Sequence, residues 1–182
     1  MPTYTLSATA LANASGKNML AISNATGSGR VIRIYRIWAT NPQTGAVTGG
    51  IFYIQLGRPT AVHSGGTALS FLPHSSCVTA GSATPFTGIS AVSGATTITS
   101  TMETEFRRVA RSSDEIAVGT NTLDEWHNII PLATIWESGY GDSNVEPFVI
   151  RPNEGFLIKL DTLGTPGVGT TDIFVELTIE TT

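Results

Sequence analysis

The chain is poor in the features that usually announce chemistry. It has one cysteine among 182 residues, Cys77. That excludes an intramolecular disulfide and a cysteine-based structural zinc site, so the fold must stand on packing alone. Charged residues make up 13%, about half the usual share of roughly 25%. The surface must therefore be built largely from Thr, Ser, Asn, Gly and backbone, which suits a protein that ends up covered by partners. No window approaches the ~18 consecutive apolar residues needed to span a bilayer. The opening MPTYTLSATALANASG lacks the basic start and apolar run of a signal peptide. The expectation is a product of the cytoplasm that makes no use of a membrane.

Acid is missing altogether from the first half. Between Met1 and Met102 there is no Asp or Glu, while Lys17, Arg30, Arg33, Arg36 and Arg58 are cationic; all fourteen acids fall between Glu103 and Glu180, against Arg107, Arg108, Arg111, Arg151 and Lys159. Five scattered cations are too few for a phosphate-binding stripe, so no nucleic-acid partner is expected. Two accounts remain: the halves interleave in one fold and neutralise each other there, or a basic face of one subunit meets an acidic face of its neighbour. The second would pair Arg30, Arg33 and Arg36 with acids of another copy.

What is present is strand after strand. GRVIRIYRIW (29–38), IFYIQL (51–56), ETEFRRVAR (103–111), WHNIIPLATIW (126–136), PFVI (147–150), FLIKL (156–160) and DIFVELTIE (172–180) are rich in β-branched and aromatic residues. TYTLSATALA (3–12) and NMLAISNA (18–25) give a weaker signal. DIFVELTIE alternates Ile173, Val175, Leu177 and Ile179 with mostly polar neighbours, the pattern of a half-buried strand. Gly, Pro, Asn and Ser clusters punctuate the strands as turns, and only 113–126 has room for a short helix. The fold class predicted is all-β: an antiparallel β-sandwich, jelly-roll-like, or a barrel, formed by one domain over 1–182. Residues 1–16 are read as an N-terminal arm. The uncharged stretch 75–101 is read as an excursion touching a neighbouring chain, with ordinary strands of small side chains as the alternative.

Catalytic patterns are sparse. No Gly-x-Ser-x-Gly elbow, phosphate loop or dinucleotide fingerprint occurs. His63, His74 and His127 lie far apart without metal-ligand spacing. Asp142 to Glu146 alternates oxygen ligands but lacks the glycine and distal glutamate of an EF-hand loop. Asp124, Glu125, Glu137, Asp142 and Glu154 supply carboxylates for sugar hydrolysis, but nothing in the sequence brings two of them together. Trp38, Trp126 and Trp136 lie in or beside apolar strands and are expected to pack in the core rather than line a sugar groove. No enzyme activity, metal or cofactor is expected.

In PFVIRPNEGFLIKL (147–160) Pro152 and Gly155 bracket a turn, Gly155 being expected to supply the positive φ. Glu154 would then be an exposed, partner-facing carboxylate at the tip of a strand–turn–strand corner. With Tyr4 and Leu6 of the arm, Phe86 of the excursion and Arg30, Arg33 and Arg36, it makes up the expected interface.

MPTYTLSATALANASGKNMLAISNATGSGRVIRIYRIWATN, together with IWESGYGDSNVEPFVIRPNEGFLIKL, resembles small virion structural proteins of tailed bacteriophages, in particular capsid decoration or cement proteins. The resemblance covers the first forty residues and the C-terminal third. It implies a jelly-roll-like domain that assembles as a homotrimer, binds the major capsid protein on the outer capsid surface and ties neighbouring capsomers together. The alternative is a receptor- or glycan-binding module of a phage fibre or tail.

Overall fold

A computed structural model of the chain describes residues 2–40, 50–75, 86–94, 97–113, 133–139, 146–164 and 169–181. Cys77, Trp126, His127, Asp142 and the short helix expected over 113–126 lie outside the described residues, except Ser113, which ends a strand. Every regular element among those described is a strand: β1 (Thr3–Ala12), β2 (Asn18–Asn24), β3 (Arg30–Thr40), β4 (Gly50–Pro59), β5 (Thr67–Ala68), β6 (Leu72–Pro73), β7 (Ile89–Ser93), β8 (Met102–Ser113), β9 (Ala133–Glu137), β10 (Phe148–Ile150), β11 (Glu154–Gly164) and β12 (Thr170–Thr181).

They form two antiparallel sheets of six strands each. Sheet A runs β10-β3-β12-β1-β6, with β9 also pairing β3; sheet B runs β5-β7-β2-β11-β4-β8. Strands from both ends of the chain lie side by side in each sheet. The inward residues of both sheets make one core: Leu6, Ile32, Ile34, Ile37, Val175 and Leu177 from sheet A meet Leu20, Ile22, Ile54, Leu56, Phe156 and Ile158 from sheet B. All twelve are fully buried. This is the antiparallel sandwich expected from the period-two pattern.

Bulges decide which side chains face inward. In β3 the ladder to β12 skips Tyr35, because Ile34 opposes Leu177 and Arg36 opposes Glu176. The extra residue shifts the alternation by one, as a β-bulge does. Ile32 and Ile34 point inward before it, Ile37 and Ala39 after it, and Trp38 is turned to the outer face. In β1 the register breaks between Ala8 and Leu11. There Ala10 takes φ 55° and its N–H donates to Asp172 Oδ1 at 2.7 Å.

The N-terminal residues are not an arm. β1 is an interior strand of sheet A, flanked by β12 and β6, because the alternation of Tyr4, Leu6 and Ala8 gives it an apolar side that belongs in the core. The excursion needs a similar correction. Within 75–101, Ile89–Ser93 forms β7, paired to β2 and β5, since Ile89 and Ala91 fill the core while Val92 packs on the opposite face. Residues 76–85 and 95–96 lie outside the described residues.

Sheet B is covered on its outer face too. Ala21, Val92, Ile98 and Leu157 form a second small cluster with Met102 against it. The cover is a flap of two short segments, 60–66 and 97–101, joined by backbone bonds between Ser64 and Thr99 and from Thr60 N–H to Thr101 O.

Candidate interaction surface

The outer face of sheet A carries the most chemically distinctive surface. Trp38 of β3 and Phe174 of β12 are cross-strand partners, and their rings stack at 5.3 Å with 12° between planes. Both are partly exposed. The Arg36 guanidinium lies 5.4 Å from the Trp38 ring centroid, within cation–π range. Arg36 Nε is also 3.8 Å from Glu137 Oε1 on β9. Farther along the strand Arg33 Nε donates to Glu180 Oε1 at 2.6 Å. The outward side chains of β1 beside them are the hydroxyls of Thr3, Thr5 and Ser7. The result is a face with an aromatic pair, flanking ion pairs and a neutral hydroxyl border.

The residues expected at an interface fall into three environments. Tyr4 and Leu6 are buried, 2% and 0% exposed, so the expectation that they meet another chain is corrected: strand alternation turns both toward the core. Tyr4 packs edge-on against Phe86 at 5.7 Å and Phe71 at 6.4 Å, and Arg30 lies over the Phe86 ring at 4.5 Å. Burial pushes the Tyr4 hydroxyl up from its ordinary pKa, opposed by the nearby Arg30 charge. Tyr4, Arg30 and Phe86 thus come together, as a packed corner of one chain.

Arg33 and Arg36 pair within the chain, with Glu180 and Glu137, and Arg58 pairs with Glu154. Each of these joins the acid-free first half to the acidic second half. The expectation of pairing across subunits for Arg33 and Arg36 is therefore replaced by the simpler account, in which the halves neutralise each other inside one fold. Such half-exposed pairs contribute about 0–1 kcal/mol each.

Glu154 closes the turn it was expected to decorate. Arg151 to Glu154 is a turn with Asn153 at φ 68°, the type II geometry that asks for positive φ at its third residue. Asparagine supplies it, and Gly155 does not. Gly155 is instead a residue of close approach, since a Cβ there would sit 2.7 Å from Pro59 Cγ. The Glu154 N–H donates to Arg151 O at 3.0 Å, while its Oε2 accepts from the Arg151 N–H at 2.8 Å and from Arg58 Nη1 at 2.9 Å. Arg58 also donates to Val149 O at 3.1 Å and stacks over Phe148 at 4.7 Å. The carboxylate is a tie at the passage from sheet A to sheet B.

Two arrangements escaped sequence reasoning because they depend on register. On the outer face of sheet B, Glu105 accepts from Gln55 at 2.6 Å and from Arg108 at 2.7 and 2.8 Å. Arg108 Nη1 lies 2.8 Å from Asp161 Oδ2, close enough for an ion pair although that oxygen lacks a well-angled hydrogen bond. The hydrogen bond from Arg108 lowers the Glu105 carboxyl from its ordinary pKa against the opposing effect of burial. The Glu105/Arg108 spacing was the one visible signal.

The second arrangement holds the flap. Asn18 Nδ2 donates to Ile98 O at 3.1 Å and Ser100 O at 2.8 Å, and His63 Nδ1 lies 2.7 Å from Ser23 Oγ. Beside the flap lies an open cleft of about 540 Å³, lined by Lys17, Asn18, Val62, Ser64, Thr99 and Thr101 among others. Burial lowers the His63 pKa from 6.5. The folded state then binds a proton less readily than the unfolded one, so this contribution to stability is complete above about pH 6.5 and is lost as pH falls through the lowered value. Amide exchange of residues 60–66, corrected for intrinsic rates, is expected to accelerate between pH 7.5 and pH 5, with a flatter response in His63→Gln. Equal protection at both pH values would contradict it.

Among the described residues no group of three His, Cys, Asp or Glu is placed to hold a metal ion, and no helix is long and apolar enough to cross a membrane. No protein-family model, curated protein or solved structure matches the chain.

Proposed function

We propose that the chain is a non-enzymatic virion structural protein that binds the outer surface of a capsid and stabilises the shell by bridging capsomers. The outer face of sheet A carries this reading, and the strand order is consistent with it. Setting aside β5, β7 and β6 at the sheet margins and β9 off the main path, sheet A reads β10-β3-β12-β1 and sheet B reads β8-β4-β11-β2. That interleaving supports a jelly roll, an architecture that viral capsid and lectin domains share. Fold analogy alone says little about function, so the face of sheet A matters more. It carries an aromatic pair flanked by arginine, the residue types favoured at protein interfaces. Copies repeated around a shell would add modest contacts into a large total.

The test is cryo-electron microscopy of the particle with a binding assay on its shell. Density for this chain is expected over capsomer junctions, and Trp38→Ala is expected to weaken shell binding by roughly thirty-fold, about 2 kcal/mol. A shell that neither carries the chain nor binds it refutes the proposal. The partly exposed Trp38 ring also favours a second reading, a glycan- or receptor-binding module, because aromatic faces stack on sugar rings. Glycan binding abolished by Trp38→Ala, in a protein indifferent to shells, would select that reading.

A further inference from the structure

β8 is one of the two longest strands, twelve residues, and it ends its sheet. Among the described residues only β4 pairs with it, along one edge. The other edge presents backbone N–H and C=O groups over a span of about 40 Å. Proteins ordinarily protect such an edge by covering it, bending it or loading it with charge that repels a second copy.

The charges on β8 do the opposite. METEFRRVARSS carries Glu103 and Glu105 in its first half and Arg107, Arg108 and Arg111 in its second. Two copies laid antiparallel set the acidic half of each against the basic half of the other, twice over. A parallel arrangement would set like against like. Glu105 and Arg108 are engaged with each other, Gln55 and Asp161. Glu103 and Arg107 are exposed and make no ion pair among the described residues, and Glu103 is the extra residue where the ladder to β4 shifts register. Phe106, between the two halves, is 40% exposed.

We propose that β8 is the contact through which two copies of this chain join edge to edge, antiparallel about a two-fold axis near Glu105, the register that sets each Glu103 opposite the other copy's Arg107. The occupant of the edge is a second β8, held by backbone hydrogen bonds and given its direction by the charge halves. Such a contact is isologous and closes on itself, giving a dimer where the resemblance to cement proteins implies a trimer.

Sedimentation velocity at about 50 µM, where contacts of modest area are populated, tests it on the full chain. The wild type is expected to dimerise, more weakly as salt rises. Glu103→Arg and Arg107→Glu are each expected to weaken dimerisation at least tenfold by placing like charges across the axis. An equimolar mixture of the two variants is expected to restore it, because both cross-axis pairs then become opposite in sign. Both positions are exposed, and an unchanged urea midpoint verifies that each variant is folded. A monomeric wild type, a trimer indifferent to either reversal, or a mixture that associates no better than its components overturns the proposal. A dimer that ignores shells leaves the β8 contact standing and refutes only the capsid reading.

Discussion

Phe156→Ala should lower the stability of folding by about 3–5 kcal/mol, the range for emptying a fully buried phenylalanine site. Phe156 is 0% exposed and sits where β11 enters sheet B, opposite Ile22 of β2. Its ring lies 5.1 Å from Phe148 of β10 and 6.0 Å from Phe106 of β8, so one side chain joins sheet B, its neighbour's edge and the last strand of sheet A. Phe148 and Phe106 are held to each other at 4.6 Å, and that frame restricts how far the site can collapse once the ring is gone. Urea unfolding followed by tryptophan fluorescence is the measurement, with a lower midpoint and an unchanged slope expected. Phe106→Ala serves as the comparison. It is 40% exposed and should cost only about 1 kcal/mol. If the two variants lose equal stability, the described packing at this side of the sandwich is wrong.

Gly57→Ala should cost about 2–3 kcal/mol through overpacking, although it adds one methyl group. A Cβ at Gly57 would stand 2.3 Å from the carbonyl oxygen of Thr104 and 2.8 Å from the sulfur of Met102. The methionine can move; the backbone oxygen cannot without carrying β8 away from β4. Gly57 sits at the register shift where Leu56 opposes Arg107 and Gly57 opposes Glu105, and close backbone approach at a bulge is a recurrent use of glycine in strands. The expected signature is local as well as global: faster amide exchange across 103–109, with β1 and β12 unaffected until global unfolding. Protection in β8 equal to that of the wild type would show that the strand has room to spare. Because β8 is also the proposed self-association edge, the same variant should dimerise less well.

Much of the architecture was legible in the residues. DIFVELTIE alternates every second residue, so its burial in β12 could be read directly, and the same holds for FLIKL in β11. The turn at 151–154 was visible from Pro152 and the polar residues around it. Glycine is the usual choice for its left-handed residue, which points to Gly155, yet Asn153 adopts φ 68° and Gly155 is reserved for its close approach to Pro59. Trp38 was expected inside, and the bulge at Tyr35 put it outside. A bulge is set by the partner strand, which composition does not disclose. Tyr4 and Leu6 are turned inward for a related reason: they stand near a chain end, but β12 and β6 flank β1 and make it interior.

The all-β class, the core face of each strongly alternating strand and the separation of charge between halves are readable from the residues alone, because period-two burial and charge are properties of the chain read in order. That Arg33, Arg36 and Arg58 meet Glu180, Glu137 and Glu154 within one molecule, and that β8 stands at an edge with Glu103 and Arg107 outside any ion pair among the described residues, follows from the tertiary arrangement. Those outcomes depend on which strands become neighbours across long stretches of sequence and in what register. Backbone hydrogen bonding between strands is almost indifferent to side-chain identity, so the choice is made by the whole core at once.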